Sequence, residues 1–579
     1  MTRVKAFQSL PEDVGNRAVK QSSYLAELKV LAPLMILAVA IRGLIAYNGP
    51  LWRDEALFIA IVRAGSFRDM LRFLHFHESH PPLFYALIRA WMSLAGDTDA
   101  RVLMLPVALG IALVPLMFVV GSTLYSRGAG VVAAALTAVS PALSEFSGEI
   151  RPYSLLPMLV LISCSALVLG LERKSRWPWA AHVVSTVALV YTHNWSWLVV
   201  AGQVVATLFV LSRRTVAVKP GKSVEAGAAF LTIGAAYIPW IPTLLYQAAH
   251  AGHPPAGGPG LAAFSMLILG GVTTAVQSTL LPPVHAARVL VLVAGVALAA
   301  LFLVVIFRVA AGRMPRIPEF RGEREASAEP GRSRAVLANT VFLIVAAAAT
   351  GAAAVLSVHS DMLQPRCFVI LTPLLLLVIA DAFNRVWTDE PRALRRGLAI
   401  GIAVVLFIDY SVRLNFLISS PRSNSQSVAA SVEQAARPSD VIIVVPEWIA
   451  PSLNHYYHSA VNQLDFPSFG RLDSIDFADL WNRFADPRPL ERVRREIVAA
   501  REGKSRVWLI VDRQSLKPLS ADKLARADKP GQYAIIASVR ARQIEQMLIA
   551  EFGNATPVNP VSSKPPRYEE LLVFLFSPR

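Results

Sequence analysis

Between Leu51 and Pro82 the chain reads LWRDEALFIAIVRAGSFRDMLRFLHFHESHPP, which gathers Arg53, Asp54, Glu55, His75, His77, Glu78 and His80 into roughly thirty residues. Ionisable groups beside lipid are costly, so they are functional candidates by default. Further along stand Arg101, Glu145, Glu149, Arg151, Tyr153, His193, Asn194 and Arg366, again at the margins of apolar runs. Carboxylates can take a proton from an attacking group or hold an acceptor, and cations can bind a phosphate. A lone arginine at the end of an apolar run is ordinarily an interfacial anchor, but Arg101, Arg151 and Arg366 occur where arginines are otherwise avoided.

These residues need elements to hold them, and the composition says which. With 579 residues, 54% of them hydrophobic and 17% charged, and a mean hydropathy of +0.48, the chain reads as a polytopic α-helical membrane protein. Apolar segments near 30–47, 102–125, 129–146, 153–171, 177–192, 195–212, 224–246, 286–307, 335–357, 367–384 and 397–416 give eleven expected spans. Two apolar pieces, 82–95 and 261–281, are assigned by charge. With neither crossing, the basic N-terminus shares one side with Arg127, Arg173 to Arg176, Arg213 to Lys222, seven arginines from Arg308 to Arg334, and Arg385 to Arg396. That is the positive-inside pattern. It places 82–95 along the outer interface and makes 261–281 interfacial or re-entrant. The formal net charge of +16 is accounted for by these loops, so no nucleic-acid partner is implied.

The expected organisation is a cytoplasmic segment 1–29, a membrane unit 30–417 with its external loop at 48–101, and an extracytoplasmic α/β domain at 418–579. In the external loop, Leu57, Phe58, Ile61 and Val62 have helical spacing, as do Met70, Leu71 and Leu74, with Gly65-Ser66 between the groups. This predicts interfacial amphipathic helices that turn Arg63, Arg68 and Arg72 outward. In the last 160 residues or so, SVAASVEQAARPSDVIIVV reads as helix, turn and strand, SRVWLIVDR and EELLVFLFSPR as strands, and PLERVRREIVAAR and QIEQMLIAEFGN as helices. The two cysteines, Cys164 and Cys367, lie in apolar runs and indicate neither disulfide nor thiolate metal cluster. No small-residue cleavage site follows the first apolar run, which reads as an uncleaved span.

The order of first span, external Asp-Glu, amphipathic helices, His-Pro-Pro-Leu-x-Tyr at 80–85, Arg101 with Pro106 five residues on, Ser-x-Glu-x-Arg-x-Tyr at 147–153, and Pro365-Arg366 before an apolar span resembles the GT-C glycosyltransferases. Within them it is similar to the protein O-mannosyltransferase, aminoarabinose transferase and rhizobial galacturonosyltransferase group. One departure is Cys367, where the family commonly has Tyr. The resemblance implies an inverting transferase of the bacterial inner membrane that moves one sugar from a polyprenyl-phosphate donor to a lipid, glycan or protein acceptor on the outer face. It implies Asp54 as general base, Glu55 supporting it, Glu149 as the second acidic residue, and His80, Arg366 and Arg151 at the donor phosphate. Arg53, Arg101, Tyr153 and His193 are additional candidates. A divalent metal on His75, His77 and Glu78 with Asp54 is an open alternative, although side chains at i and i+2 do not share a helical face. A lipid or glycolipid flippase is the competing function, and a scaffold that binds a partner is a third. Transporters usually place ionisable groups near the midplane and show repeats, and neither is visible here. The sugar and acceptor are not legible.

Overall fold

The computed structural model describes residues 12–212, 221–250, 330–357, 365–388, 393–473, 475, 480–525, 527, 533–558 and 564–578. The chain opens with α1 (Glu12–Ala46), followed by α2 (Arg53–Arg63), α3 (Phe67–His77) and α4 (Leu83–Ala95). Then come α5 (Asp99–Leu124), α6 (Arg127–Val139), α7 (Pro141–Ser147), α8 (Leu155–Glu172), α9 (Trp177–Val190), α10 (Ser196–Ser212), α11 (Lys222–Tyr237) and α12 (Ile241–His250). After the undescribed stretch follow α13 (Pro330–Ser357), α14 (Thr372–Thr388) and α15 (Ala393–Ser419).

Among the described residues seven stretches are long and apolar enough to cross a membrane, and the bent pair α6–α7 makes an eighth if it is one span. The chain is an integral membrane protein. Each of the ten expected spans within the described residues is helical, but α9 and α10, at 14 and 17 residues, fall short of the roughly 20 a perpendicular crossing needs. The expected span 286–307 and the 261–281 piece lie outside the described residues. Close helix contact depends on small residues: a Cβ on Gly121 would stand 2.7 Å from the Cα of Gly130, and one on Gly202 would stand 2.9 Å from the Val345 backbone. This is how helices associate where apolar burial gives no net drive.

The 48–101 loop forms the helices that its periodicity predicts. Ser66 caps α3, its hydroxyl accepting from the Asp69 amide, so the Gly65-Ser66 break becomes a helix start. The helices α2 and α3 bury Phe58, Ile61, Val62, Met70 and Leu74, while Arg63, Arg68 and Arg72 are exposed. Helix α4, only 13 residues long, packs on α2 through Phe58, whose ring stacks on Tyr85 at 4.0 Å.

Beyond α15 lie α16 (Ser425–Ala435), β1 (Val441–Val445), α17 (Ala450–Asn454), β2 (Asn462–Asp465), β3 (Val507–Asp512), β4 (Thr556–Pro557) and β5 (Leu571–Phe576). They form one mixed sheet in the order β2-β1-β3-β5-β4. β1 runs parallel to β2 and β3, and β5 antiparallel to β3. All six residues of β3 are buried, as a central strand covered on both faces requires. Helices 488–502 and 533–552 cover the sheet. This unit is pinned to the 48–101 loop: α17 packs on α2, the Leu51 amide donates to the Tyr456 hydroxyl at 2.9 Å, and His455 and Tyr456 both meet Asp99 at 2.8 Å.

Candidate active site

Asp54 and Glu55 occupy the first turn of α2, where the helix dipole favours anions. Their surroundings differ. The Asp54 side chain is about a fifth exposed, with Arg53 Nε 3.7 Å from its Oδ1. Glu55 is fully buried: its Oε1 accepts from the Ile150 amide at 2.9 Å and from Arg422 Nη1 at 3.0 Å. Burial pushes the Glu55 carboxyl up, against the opposing pull of Arg422 and the two backbone amides. Such a group holds structure in place, whereas Asp54 keeps part of its carboxylate accessible beside Arg53 and Arg151.

The Ser79-His80-Pro81-Pro82 segment cannot continue α3, because its two prolines lack amide donors. The chain leaves the helix there in an extended conformation, and Glu78 Oε1 accepts from the Ser79 amide at 2.8 Å and meets His80 Nδ1 at 2.6 Å. Burial opposes the Glu78 charge, but His80 and Arg151 outweigh it and hold the carboxyl at about 2. The His80 ring lies edge-on to His193 at 4.8 Å, and Tyr153 follows 6.0 Å beyond. His193 Nδ1 accepts from the Trp195 amide at 3.1 Å, which places its ring proton on Nε2.

Glu149 and Arg151 sit in the buried turn between α7 and the 3-10 turn Pro152–Ser154. Arg151 is only 5% exposed and its Nε has no hydrogen-bond partner. Burial works against its charge, yet Asp54 above all, with Tyr85, Tyr153 and Glu78, holds the guanidinium above its ordinary value. A buried, permanently charged fork with an unmet donor has the chemistry to take an anion. The 3-10 turn Pro365–Leu371, which begins with Pro365-Arg366, packs against α7 and the Pro152–Ser154 turn; the Arg366 side chain lies outside what is described.

Thus Asp54, Glu78, His80, Arg151, Tyr153 and His193 converge, with Glu55 and Glu149 directly behind. Arg101 does not join them. It is exposed and lies over the Gly96 turn, where a Cβ would meet its Nη1 at 2.6 Å. Arg53 lies between Asp54 and the carboxylates Glu569 and Asp512 of the C-terminal unit; burial works against its charge, and Asp54 first, then Glu569 and Asp512, hold it up. The grouping of His75, His77 and Glu78 is not assembled: among the described residues no three His, Cys, Asp or Glu side chains come together as a metal-binding group. His75 turns to Thr243 at 2.8 Å and stacks on Tyr246, His77 packs with Phe73, and Glu78 takes His80. The helical i, i+2 divergence explains the separation.

Sequence reading passed over two residues of the C-terminal unit. Arg422 reaches Glu55, and Tyr568 donates to Glu145 Oε1 at 2.7 Å while its ring lies 4.8 Å from Trp52. Neither carries a local motif; their only signal is a charged and an aromatic residue beside prolines at the ends of the soluble segment.

Residues 79–240 match the dolichyl-phosphate-mannose-protein mannosyltransferase family. No curated protein matches the chain significantly. Among solved structures it is similar to ArnT from Cupriavidus metallidurans in the apo state, at 11% identity over 96% of this chain and 98% of that one, with a TM-score of 0.53. ArnT bound to undecaprenyl phosphate gives 11% identity over 95% and 97%, with a TM-score of 0.49. The Archaeoglobus fulgidus oligosaccharyltransferase in complex with Zn and sulfate gives 12% over 88% and 70%, with a TM-score of 0.48. The fold of this chain is that of the GT-C glycosyltransferases.

Proposed function

We propose that the chain is an inverting membrane glycosyltransferase that moves a single hexosyl or pentosyl unit from a polyprenyl-phosphate donor to a lipid, glycan or protein acceptor. The observation that carries this reading is Arg151, a buried guanidinium with an unmet donor, held beside Asp54 and the Glu78–His80 pair at the end of a membrane helix bundle. An anion fits the guanidinium, and the apolar bundle beside it suits a lipid tail. The likeness in fold to ArnT, a protein also solved with undecaprenyl phosphate, agrees with a lipid-linked phosphate.

In the proposed step the acceptor hydroxyl forms a bond to the anomeric carbon as the bond from that carbon to the phosphate oxygen breaks. Asp54 receives the hydroxyl proton. The electron pair departs on the polyprenyl phosphate, whose charge is met by Arg151, His80 and Arg366. One displacement inverts the anomeric centre. Glu149 stands behind the acceptor side and Glu55 fixes the α2 terminus that carries Asp54. The distribution of basic loops supports residues 1–29 on the cytoplasmic side, and the loop 48–101 and residues 418–579 on the outer face of a bacterial inner membrane.

The test uses purified full-length protein and its Asp54→Asn variant with an undecaprenyl-phosphate-linked sugar. Transfer is expected to fall by about a hundredfold or more in the variant, with binding of undecaprenyl phosphate retained. Transfer at the parental rate would remove Asp54 as the base. Mass spectrometry of surface glycolipids from cells with and without the gene names the sugar and acceptor.

A further inference from the structure

Arg422 follows α15 at the entry to the C-terminal unit and is almost completely buried. Its Nη1 donates to Glu55 Oε1 at 3.0 Å and to the Gly148 carbonyl at 2.8 Å; its Nη2 donates to the Gly49 carbonyl at 2.9 Å. The same Glu55 oxygen accepts from the Ile150 amide at 2.9 Å. Gly148 and Ile150 are the two neighbours of Glu149, so the Arg422–Glu55 pair grips the backbone on both sides of that residue. Arg151 follows one residue later. The backbone of Arg422 is itself held, its amide donating to Asn48 at 3.2 Å and its carbonyl accepting from Tyr568 at 3.1 Å.

We infer that Arg422 is a positioning residue for the donor site: through Glu55 it sets the 148–151 turn, and hence the placement of Arg151, so that the C-terminal unit forms part of the site. This rests on the assignment of Arg151 to the donor phosphate. Chemistry favours a fixed clamp. A planar fork can satisfy a carboxylate and two carbonyls in one geometry, which a flexible ammonium cannot. Removing one partner leaves the other charge buried and uncompensated. A displacement of the order of 1 Å in a binding group can cost about a hundredfold in rate, so the effect on the phosphate should be readable without unfolding.

The experiment measures the affinity of the full-length protein for undecaprenyl phosphate in detergent, for the parent, Arg422→Lys, Arg422→Ala, Glu55→Gln and the double variant, with hydrogen exchange at the Ile150 amide. Expected is a loss of affinity of about tenfold or more for Arg422→Ala, an intermediate loss for Arg422→Lys, and a double variant no worse than the poorer single one, because both act through one contact. Ile150 should lose protection in step. A merely structural role would lower the fraction of binding-competent protein, not the affinity of what remains. Parental affinity with parental Ile150 protection in Arg422→Ala, or in Arg422→Lys if the alanine variant does not fold, would overturn the inference. A parent that does not bind undecaprenyl phosphate would sink the donor reading, while Ile150 exchange would still decide whether the clamp exists.

Discussion

Glu78 and His80 form a charge-assisted pair across one residue, Oε1 to Nδ1 at 2.6 Å, with neither side chain more than about an eighth exposed. The contact ties the His80 ring to the end of α3, where it lies edge-on to His193 at 4.8 Å. A carboxylate held at about 2 remains ionised at any physiological pH, so His80 has a permanent anionic partner.

Glu78→Gln should therefore leave His80 in place without that charge. A hydrogen bond to a charged group is worth about 1.5–3 kcal/mol, so transfer should fall by roughly ten- to a hundredfold. The acid limb follows from linkage. A carboxyl depressed from 4.5 to about 2 stabilises the fold fully above pH 4.5, and that contribution is lost as pH falls towards 2. Urea unfolding in detergent should show a stability slope below pH 4.5 in the parent that is smaller in Glu78→Gln. An equal slope in the two proteins would mean that Glu78 is not charged by its pairing.

Arg151→Lys and Arg151→Met separate binding from folding. Lysine keeps a positive charge beside Asp54 and Glu78 but offers a point charge instead of a fork. Its KM for an undecaprenyl-phosphate sugar should rise by about tenfold or more, with a similar thermal midpoint. Methionine leaves the carboxylates without compensation and should cost stability of the order of 3–5 kcal/mol. An unchanged KM in the lysine variant would take Arg151 away from the donor.

Much of this was legible because periodicity and cost are local. Apolar length announces spans, Gly65-Ser66 announces the break between α2 and α3, and an Asp-Glu pair beside lipid needs a reason to exist. The strands 441–445, 507–512 and 571–576 and the helices 488–502 and 533–552 were visible for the same reason. What failed was not local. The strand 462–465 has the sequence NQLD, whose polar composition gives no strand signal, and it exists because Val441–Val444 beside it offer a parallel edge. Arg422 is 367 residues from Glu55, and Tyr568 is 423 from Glu145. Only the fold brings such pairs together. The histidines 75 and 77 look like ligands in a line of text and diverge once the helix is built.

Asp465 ends β2 and is fully buried, with Gln463 Nε2 donating to it at 2.7 Å and the Leu472 amide at 2.6 Å. Burial dominates and pushes its carboxyl up to about 7. The folded state then binds a proton that the unfolded chain releases near 3.8, so stability falls as pH rises from about 4 to about 7 and levels off above. The full effect is of the order of 2–4 kcal/mol. Asp465→Asn removes the titration, and its unfolding free energy should be flatter over that window; a slope as steep as that of the parent would assign the effect elsewhere.

Arg42 compensates the break that Pro141 makes between α6 and α7, and it gives the sharpest stability test. In a continuous helix the Thr137 carbonyl would receive the amide of residue 141, but that residue is Pro141 and has none. Arg42, buried within α1, fills the gap: Nη2 donates to Thr137 at 2.9 Å and Nη1 to Ala138 at 3.0 Å. Arg42→Met should strand both carbonyls where no water competes, at about 1–3 kcal/mol each. Arg42→Lys should recover part of that loss. Adding Pro141→Ala to Arg42→Met restores an amide opposite Thr137 and should return some stability, so the two changes should not be additive. Thermal unfolding of the parent, Arg42→Met, Pro141→Ala and their double variant, with Arg42→Lys beside them, in one detergent checks this, and simple additivity would show that Arg42 acts by something other than supplying the missing donor.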